Sequence, residues 1–194
     1  MWNDRYAEEG FAYGTQANSF LIENQTRLPK GRVLCIAEGE GRNAVFLAEQ
    51  GYEVVAVDAS AVGLEKAQRL AATRNVKIET IVADLSHFKI EAGNWDAIVS
   101  IFCHIPPAIR LDIHKQVCDG LKKDGVFLLE AYRPAQLEFK TGGPPTAEFM
   151  MTLEALKNEL EPLKMMHGEE IVREIVEGKY HTGAGAVVQF IASK

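Results

Sequence analysis

Clustered positive charge, cysteine and long apolar runs are all scarce in this chain, and each shortage removes a class of function. The densest basic cluster is Lys122-Lys123, and the formal net charge is −6. Nucleic-acid binders draw much of their affinity from a basic stripe that neutralises phosphates, so a nucleic-acid partner is disfavoured. The three cysteines, Cys35, Cys103 and Cys118, are odd in number and widely spaced. They suit neither a disulfide framework nor a zinc motif, so no metal is expected and a reducing compartment fits. Apolar runs such as Ala97 to Phe102 are short, well below the roughly 20 residues a membrane span requires. No membrane association is expected. The opening Met1-Trp2-Asn3-Asp4-Arg5 lacks the basic-then-apolar pattern of a signal peptide, so a cytoplasmic location is expected. Internal repeats and linkers are missing as well, and 194 residues suit a single domain.

What is present is a regular alternation of short apolar runs and helical patterns. Arg32 to Ile36 reads as a buried strand, Arg42 to Gln50 as a helix closed by Gly51, and Glu53 to Val57 as a second strand. Ser60 suits an N-cap for a helix through Ala72, whose inner face would carry Leu64, Ala67 and Ala71. Val76 to Val82 and Trp95 to Phe102 read as the third and fourth strands. Pro106 and Pro107 then open a helix to about Lys122, Lys123-Asp124-Gly125 reads as a turn, and Val126 to Tyr132 as a fifth strand. This order predicts an α/β fold: a doubly wound, mostly parallel sheet with helices on both faces. In the tail, Thr152 to Leu160 reads as a helix. Glu170 to Val176 and Ala186 to Ala192 alternate as two edge strands, joined through a connection containing Gly178 and Gly183-Ala184-Gly185. Pro134 to Pro145 is the one long irregular stretch, a length typical of binding loops.

The segment with chemical content is Val33 to Asn43, VLCIAEGEGRN. Gly39 and Gly41 fall between a strand and a helix, where glycine lets a ligand approach the main chain. The helix start beyond them offers free N–H groups to an anion. Asp58 ends the second strand, 19 residues after Gly39, where a carboxylate can accept from both hydroxyls of a ribose. Asp84, at the end of the third strand, can accept from an adenine amine. The three strand ends thus present, in chain order, the parts of an adenosyl site. An NAD-binding oxidoreductase also satisfies the local pattern, with Ala44 in the third glycine place, although Arg42 crowds a pyrophosphate turn and the second acid favours adenosine alone.

These residues resemble a class I S-adenosylmethionine-dependent methyltransferase, in particular the tellurite-resistance and thiopurine methyltransferase-like group. The resemblance rests on VLCIAEGEGRNAVFLAEQGYEVVAVDAS, VADLS, WDAIVSIF and LKKDGVFLLEAY, between Val33 and Tyr132. The opening WNDRY and YGTQANSFL resemble that family's N-terminal cover, and HTGAGAVVQFIASK its antiparallel last strand. It implies a Rossmann-like sheet of about seven strands with the last antiparallel, residues 1–30 as a helical cover, 31–132 as the cofactor core and 133–194 as lid loop, helix and edge strands. It further implies S-adenosyl-L-methionine as cofactor, S-adenosyl-L-homocysteine as product and a small molecule as acceptor. The cofactor-binding positions it implies are Ala37, Glu38, Gly39, Gly41, Arg42, Asn43, Asp58, Ala59, Ser60, Asp84, Leu85, Ile101 and Phe102. The family's first motif runs Asp-x-Gly-x-Gly-x-Gly; here Cys35 stands in the Asp place and Ala37 in the first Gly place, and Glu38 is the nearest carboxylate that could hold a methionine ammonium.

A sulfonium methyl is already electrophilic, so orientation and exclusion of water supply most of the catalysis, and a base is needed only where the acceptor must lose a proton. A thiol, a metalloid oxyanion or a similar nucleophile fits this chemistry. His104 after the fourth strand, with Tyr132 and Arg133 at the end of the fifth, are the catalytic candidates; His167 and His181 read as structural. Trp2, Tyr6, Phe11 and Tyr13 could close over the site together with the loop Pro134 to Pro145. An adenosyl-binding module without transfer activity stays open, as do monomer and homodimer.

Overall fold

A computed structural model describes residues 2–194. It contains one seven-stranded sheet, built from β1 (Arg32–Ile36), β2 (Glu53–Asp58), β3 (Glu79–Val82), β4 (Trp95–Ile101), β5 (Leu121–Tyr132), β6 (Lys164–Glu177) and β7 (His181–Ser193), in the spatial order β3-β2-β1-β4-β5-β7-β6. The pairs from β3 through β5 are parallel, and β7 runs antiparallel to both β5 and β6. The helices are α1 (Trp2–Tyr6), α2 (Ser19–Asn24), α3 (Arg42–Glu49), α4 (Ala61–Thr73), α5 (Pro107–Gly120) and α6 (Leu153–Glu159). The expected architecture is therefore present, including the antiparallel last strand.

The central strands are apolar on both sides because both faces are covered. One face packs Val33, Cys35, Val54 and Ala56 with Ala44, Leu47, Leu64 and Ala67 of α3 and α4. The other packs Leu34, Ile36, Val55, Ile98, Phe127 and Phe190 with Ile113 and Val117 of α5 and Leu156 of α6. The chain reverses its winding between β1 and β4, so their carboxyl ends flank a crevice where open α/β sheets bind ligands.

Several boundaries differ from the sequence reading, each for a packing reason. The Lys123-Asp124-Gly125 turn lies inside β5 as an irregularity: Asp124 has φ +65°, its N–H donates to Lys194 O, and Gly125 O accepts from Lys194 N–H. The final residue thereby carries the β5–β7 ladder past the kink. β3 begins at Glu79 rather than Val76, because Val76 N–H still closes α4 on Ala71 O. Gly183 and Gly185 belong to β7 rather than to the connection. At Gly185 a Cβ would run into Ile175 and come within 3.2 Å of the Tyr132 ring, so glycine there admits bulky neighbours to the sheet face.

Candidate active site

The turn after β1 is built from left-handed residues. Ala37, Gly39 and Gly41 have φ of +52°, +62° and +87°. Such angles strain any residue bearing a Cβ, so Ala37 stores strain that glycine would avoid. At Gly41 a Cβ would lie 2.8 Å from Ala67 Cα and closer still to its Cβ, so this glycine lets α3 and α4 touch. Glu38 reaches forward, and its Oε1 accepts from Asn43 N–H (3.0 Å) and Ala44 N–H (2.8 Å), capping α3. Its Oε2 has no partner among the described residues. Burial raises the Glu38 carboxyl to about 7, with the two N–H contacts and Arg42 opposing and the Asp58 charge reinforcing the rise. Cys35 lies fully buried in the core and cannot replace a carboxylate there.

Asp58 closes the turn from the neighbouring strand. Its Oδ2 accepts from Gly39 N–H at 2.9 Å and its Oδ1 from Ser60 N–H at 2.8 Å. Each carboxylate oxygen retains a second lone pair, as a ribose diol requires. Burial raises its pKa, making it a weaker acid, and the two N–H donors oppose this. Ala59 is exposed beside it, and Ser60 caps α4 by accepting from Gly63 N–H. Asp84 sits exposed on the rim, where its Oδ1 takes the N–H and hydroxyl of Ser86 in a tight turn; Leu85 is buried beneath it. Ala83 N–H donates to Asp58 O, so the second and third strand ends are tied together. Ile101 lines the core, and Phe102 follows it with φ +53°.

Arg42 and Asn43 do not face this crevice. Arg42 is buried and donates to Glu177 Oε2 at 2.6 Å and to Gln16 O. Asn43 Oδ1 accepts from Asn18 N–H. They belong to a buried polar cluster in which Asn18 also donates to Glu130 and Glu177, and Arg173 and Gln189 donate to Glu130. The cluster ties the N-terminal segment, α3 and the edge strands into one body beside the site.

The N-terminal strap, residues 2–15, lies across the turn. A Cβ on Gly39 would meet Tyr6 Oη at 2.5 Å, and one on Gly63 would meet the Tyr6 ring at 2.9 Å. Ser60 Oγ bonds Asn3 Oδ1 at 2.6 Å, and Ala12 N–H donates to Glu40 Oε2 at 2.7 Å. From Tyr6 a chain of rings continues through Tyr13 and His181 to Tyr132 and Phe102. The loop after β5 is ordered as well: Gln136 is buried, accepts from Ala186 N–H and donates to Thr141 and Gly142. This holds Gly142 and Gly143 against the Tyr132 ring.

Of the catalytic candidates, His104 is committed to structure. Its Nε2 accepts from Tyr132 N–H at 2.9 Å, and burial holds its proton affinity down at about 3. Tyr132 is fully buried at the site, and Arg133 lies beside Glu170 at 4.0 Å, on the β6 side. His181, read from sequence as structural, joins the ring chain beside the candidate site, and Glu177 joins the buried polar cluster. Nothing local in the chain signals them, because their neighbours Tyr13, Phe102 and Tyr132 are distant in sequence.

A methyltransferase domain family matches residues 33–125, which hold the turn and all three strand ends. An uncharacterized methyltransferase, sll0829, from Synechocystis sp. is 30% identical over 183 residues, covering 89% of this chain and 80% of that protein. The chain belongs to the methyltransferase family. Its fold is shared with TehB from Haemophilus influenzae (TM-score 0.77, 19% identity, 92% of this chain and 62% of that one). It is shared too with an S-adenosylmethionine-dependent methyltransferase from Methanosarcina mazei (TM-score 0.68, 20% identity, 92% and 98%).

Proposed function

We propose that this methyltransferase binds S-adenosyl-L-methionine across the carboxyl ends of β1 to β4 and transfers its methyl group to a small-molecule nucleophile. The observation that carries this reading is the junction of the glycine turn with Asp58. Gly39 N–H and Ser60 N–H fix both carboxylate oxygens at the rim of the crevice, facing the place a ribose would take. Glu38, with one oxygen capping α3 and the other unpartnered, fits the methionine ammonium in place of the carboxylate that Cys35 lacks. Asp84 and Leu85 fit the adenine edge, with Asp84 Oδ2 left over by the Ser86 turn, which uses Oδ1 alone. When bound, the cofactor supplies an electrophilic methyl on a sulfonium. The protein supplies position and a dry site, through Tyr6 and Tyr13 of the strap and the Gly142-Gly143 loop. The finer placement in the tellurite-resistance and thiopurine methyltransferase-like group rests on the core motifs between Val33 and Tyr132, together with the likeness of the opening segment and the tail to that group.

Calorimetric titration with S-adenosyl-L-homocysteine and with NAD tests the reading. Binding of the former alone is expected, and Asp58→Ala is expected to weaken it by about 1.5–3 kcal/mol for each lost charge-assisted bond. Binding of NAD alone would refute it. A second reading, an adenosyl-binding module, predicts tight binding with no S-adenosyl-L-homocysteine formed from any acceptor.

A further inference from the structure

Tyr132 Oη, at the end of β5, is buried without a hydrogen-bond partner among the described residues. Burying such a group unpaired is unfavourable, so its persistence beside the candidate site points to a ligand that completes it. Tyr132 is fully buried and His181 is 9% exposed. Both side chains pack against Gly142, where a Cβ would lie 3.1 Å from Tyr132 Oη and 2.9 Å from His181 Cδ2. The Cδ2 edge of the imidazole, which also carries Nε2, therefore lies on the same side as Tyr132 Oη. The other edge faces Glu177, with Nδ1 4.0 Å from Oε2. The ring is held edge-on to Phe102, the residue after β4, with centroids 4.8 Å apart, and to Tyr132 at 5.3 Å.

We infer that His181 is the general base of methyl transfer, oriented by Glu177, and that the acceptor is an uncharged small molecule whose nucleophilic atom carries a proton, a thiol S–H or a phenol O–H. This rests on the methyl-transfer reading above. Glu177 is the natural receiver of Nδ1–H, leaving the Nε2 lone pair toward the site, and Tyr132 Oη is placed to hold the acceptor. As the acceptor's lone pair forms the new bond to the methyl carbon, the methyl–sulfonium bond breaks and its electron pair stays on the cofactor sulfur, now a neutral thioether. The acceptor's proton passes to Nε2, and the imidazolium so formed faces the Glu177 carboxylate before releasing the proton to water.

The surrounding charges agree. Burial lowers the His181 proton affinity, reinforced by Arg42 of α3 and Arg5 of α1 and opposed by Glu177 of β6. The other titratable groups facing it are Tyr13 of the strap, Tyr132 of β5 and His104 after β4. The ring is thus neutral at neutral pH and free to take a proton. Burial alone would raise Glu177, but His181, Arg42 and Arg173 hold it at about 2, so it remains an anion. The Arg42 guanidinium lies outside the crevice and is already engaged by Glu177, so it offers an acceptor oxyanion little in exchange for lost hydration.

Two measurements decide. Nitrogen-15 spectra of labelled histidine in the ligand-free protein, assigned with His181→Gln, should show His181 as the Nδ1–H tautomer; an Nε2–H tautomer overturns the inference. Initial rates should then be compared for an alkyl thiol, largely protonated near neutral pH, and an acidified aryl thiol, largely ionised there. His181→Gln is expected to lower kcat about 100-fold or more for the alkyl thiol, and only severalfold for the aryl thiol, with S-adenosyl-L-homocysteine affinity kept. Equal losses for the two thiols, or no transfer to either by a wild type that binds S-adenosyl-L-homocysteine, overturns it. A wild type that binds no S-adenosyl-L-homocysteine would instead defeat the methyl-transfer reading itself.

Discussion

If Glu38 holds the methionine ammonium, cofactor affinity must depend on pH in the neutral range, where carboxylates ordinarily do not titrate. Burial raises Glu38 to about 7. Only the anion attracts an ammonium, so below that value the protein must first lose a proton to bind. Kd is then expected to rise about 10-fold for each pH unit below the midpoint, or about 1.4 kcal/mol per unit. The same linkage makes binding near neutrality release a proton, because a bound ammonium pulls the Glu38 value back down. Calorimetric titrations with S-adenosyl-L-homocysteine in buffers of different ionisation enthalpy read both quantities. Glu38→Gln keeps an oxygen to cap α3 at Asn43 and Ala44 but removes the charge, so its Kd should be flat with pH and weaker than that of the wild type on the alkaline side of the midpoint. The ligand-free protein has the opposite preference. The folded value stands above the ordinary 4.5, so the Glu38 contribution to stability is fully present below 4.5 and is lost as pH rises through about 7. A wild-type Kd that is flat across neutrality, or a Glu38→Gln variant with the same slope as the wild type, would refute the role of Glu38.

Three further outcomes follow from the packing. Gly41→Ala adds a left-handed alanine, roughly 1–2 kcal/mol, and overpacks Ala67 by about 1–3 kcal/mol, so urea denaturation should show a loss of several kcal/mol; a change below about 0.5 kcal/mol would contradict the close approach of α3 and α4. Burial would raise Glu159, yet its bonds to His114 and Arg110 hold it at about 2 against an ordinary 4.5. Its stabilisation is therefore complete above 4.5 and lost as pH falls through about 2, and Glu159→Gln should flatten the acid-denaturation curve in that window, whereas an unchanged slope would show that the α5–α6 ion pair contributes nothing. Gly178→Ala should lift the N-terminal strap while leaving the sheet intact, as read by hydrogen exchange.

The parts of the site that were legible in the sequence are those whose partners are fixed by the strand–turn–helix order. Gly39, Gly41 and Asp58 fall into place because parallel β1 and β2 align their ends, which brings Asp58 Oδ2 to Gly39 N–H. The antiparallel tail was legible from its period-two alternation. Arg42 was not: it sits in the motif, but its partner Glu177 is 135 residues away on an edge strand. His181 was hidden for the same reason, since its ring neighbours come from the strap, β5 and the end of β4. Gly183 and Gly185 misled because a glycine required by close packing has the same letter as one required by a turn. The glycine turn and its carboxylate are written in local spacing, whereas the ring chain and polar cluster beside them are written in contacts across the sheet.

That division places control of the strap in the β6–β7 hairpin rather than in the strap itself. Gly178, at the hairpin tip, has φ +69°, and a Cβ there would lie 2.5 Å from Ala12 O, Gly14 N and the Tyr13 carbonyl carbon. All three are strap backbone, which cannot rotate aside as a side chain can. Beside it Lys179 N–H donates to Ala12 O at 2.9 Å, and Lys179 and Tyr180 both reach Glu8 at 2.7 Å. The Glu8 contacts are exposed and individually weak, so the backbone junction at Gly178 is the contact whose loss should matter. In Gly178→Ala the strap and the hairpin cannot both keep their places. The clashing atoms are strap backbone and lie outside the sheet ladder, so the penalty to global stability should be mainly the left-handed alanine, roughly 1–2 kcal/mol. The expected result is faster hydrogen exchange across residues 2–15, faster dissociation of S-adenosyl-L-homocysteine and an unfolding midpoint lowered by only about 2–4 °C per kcal/mol of that penalty. Tyr6 would leave Gly39, so the ligand would lose its cover but keep Asp58. Exchange in residues 2–15 as slow as in the wild type would mean that the strap is held by its contacts away from the hairpin, among them those of Tyr6, Asn3 and Ala12, and that the hairpin does not govern access to the site.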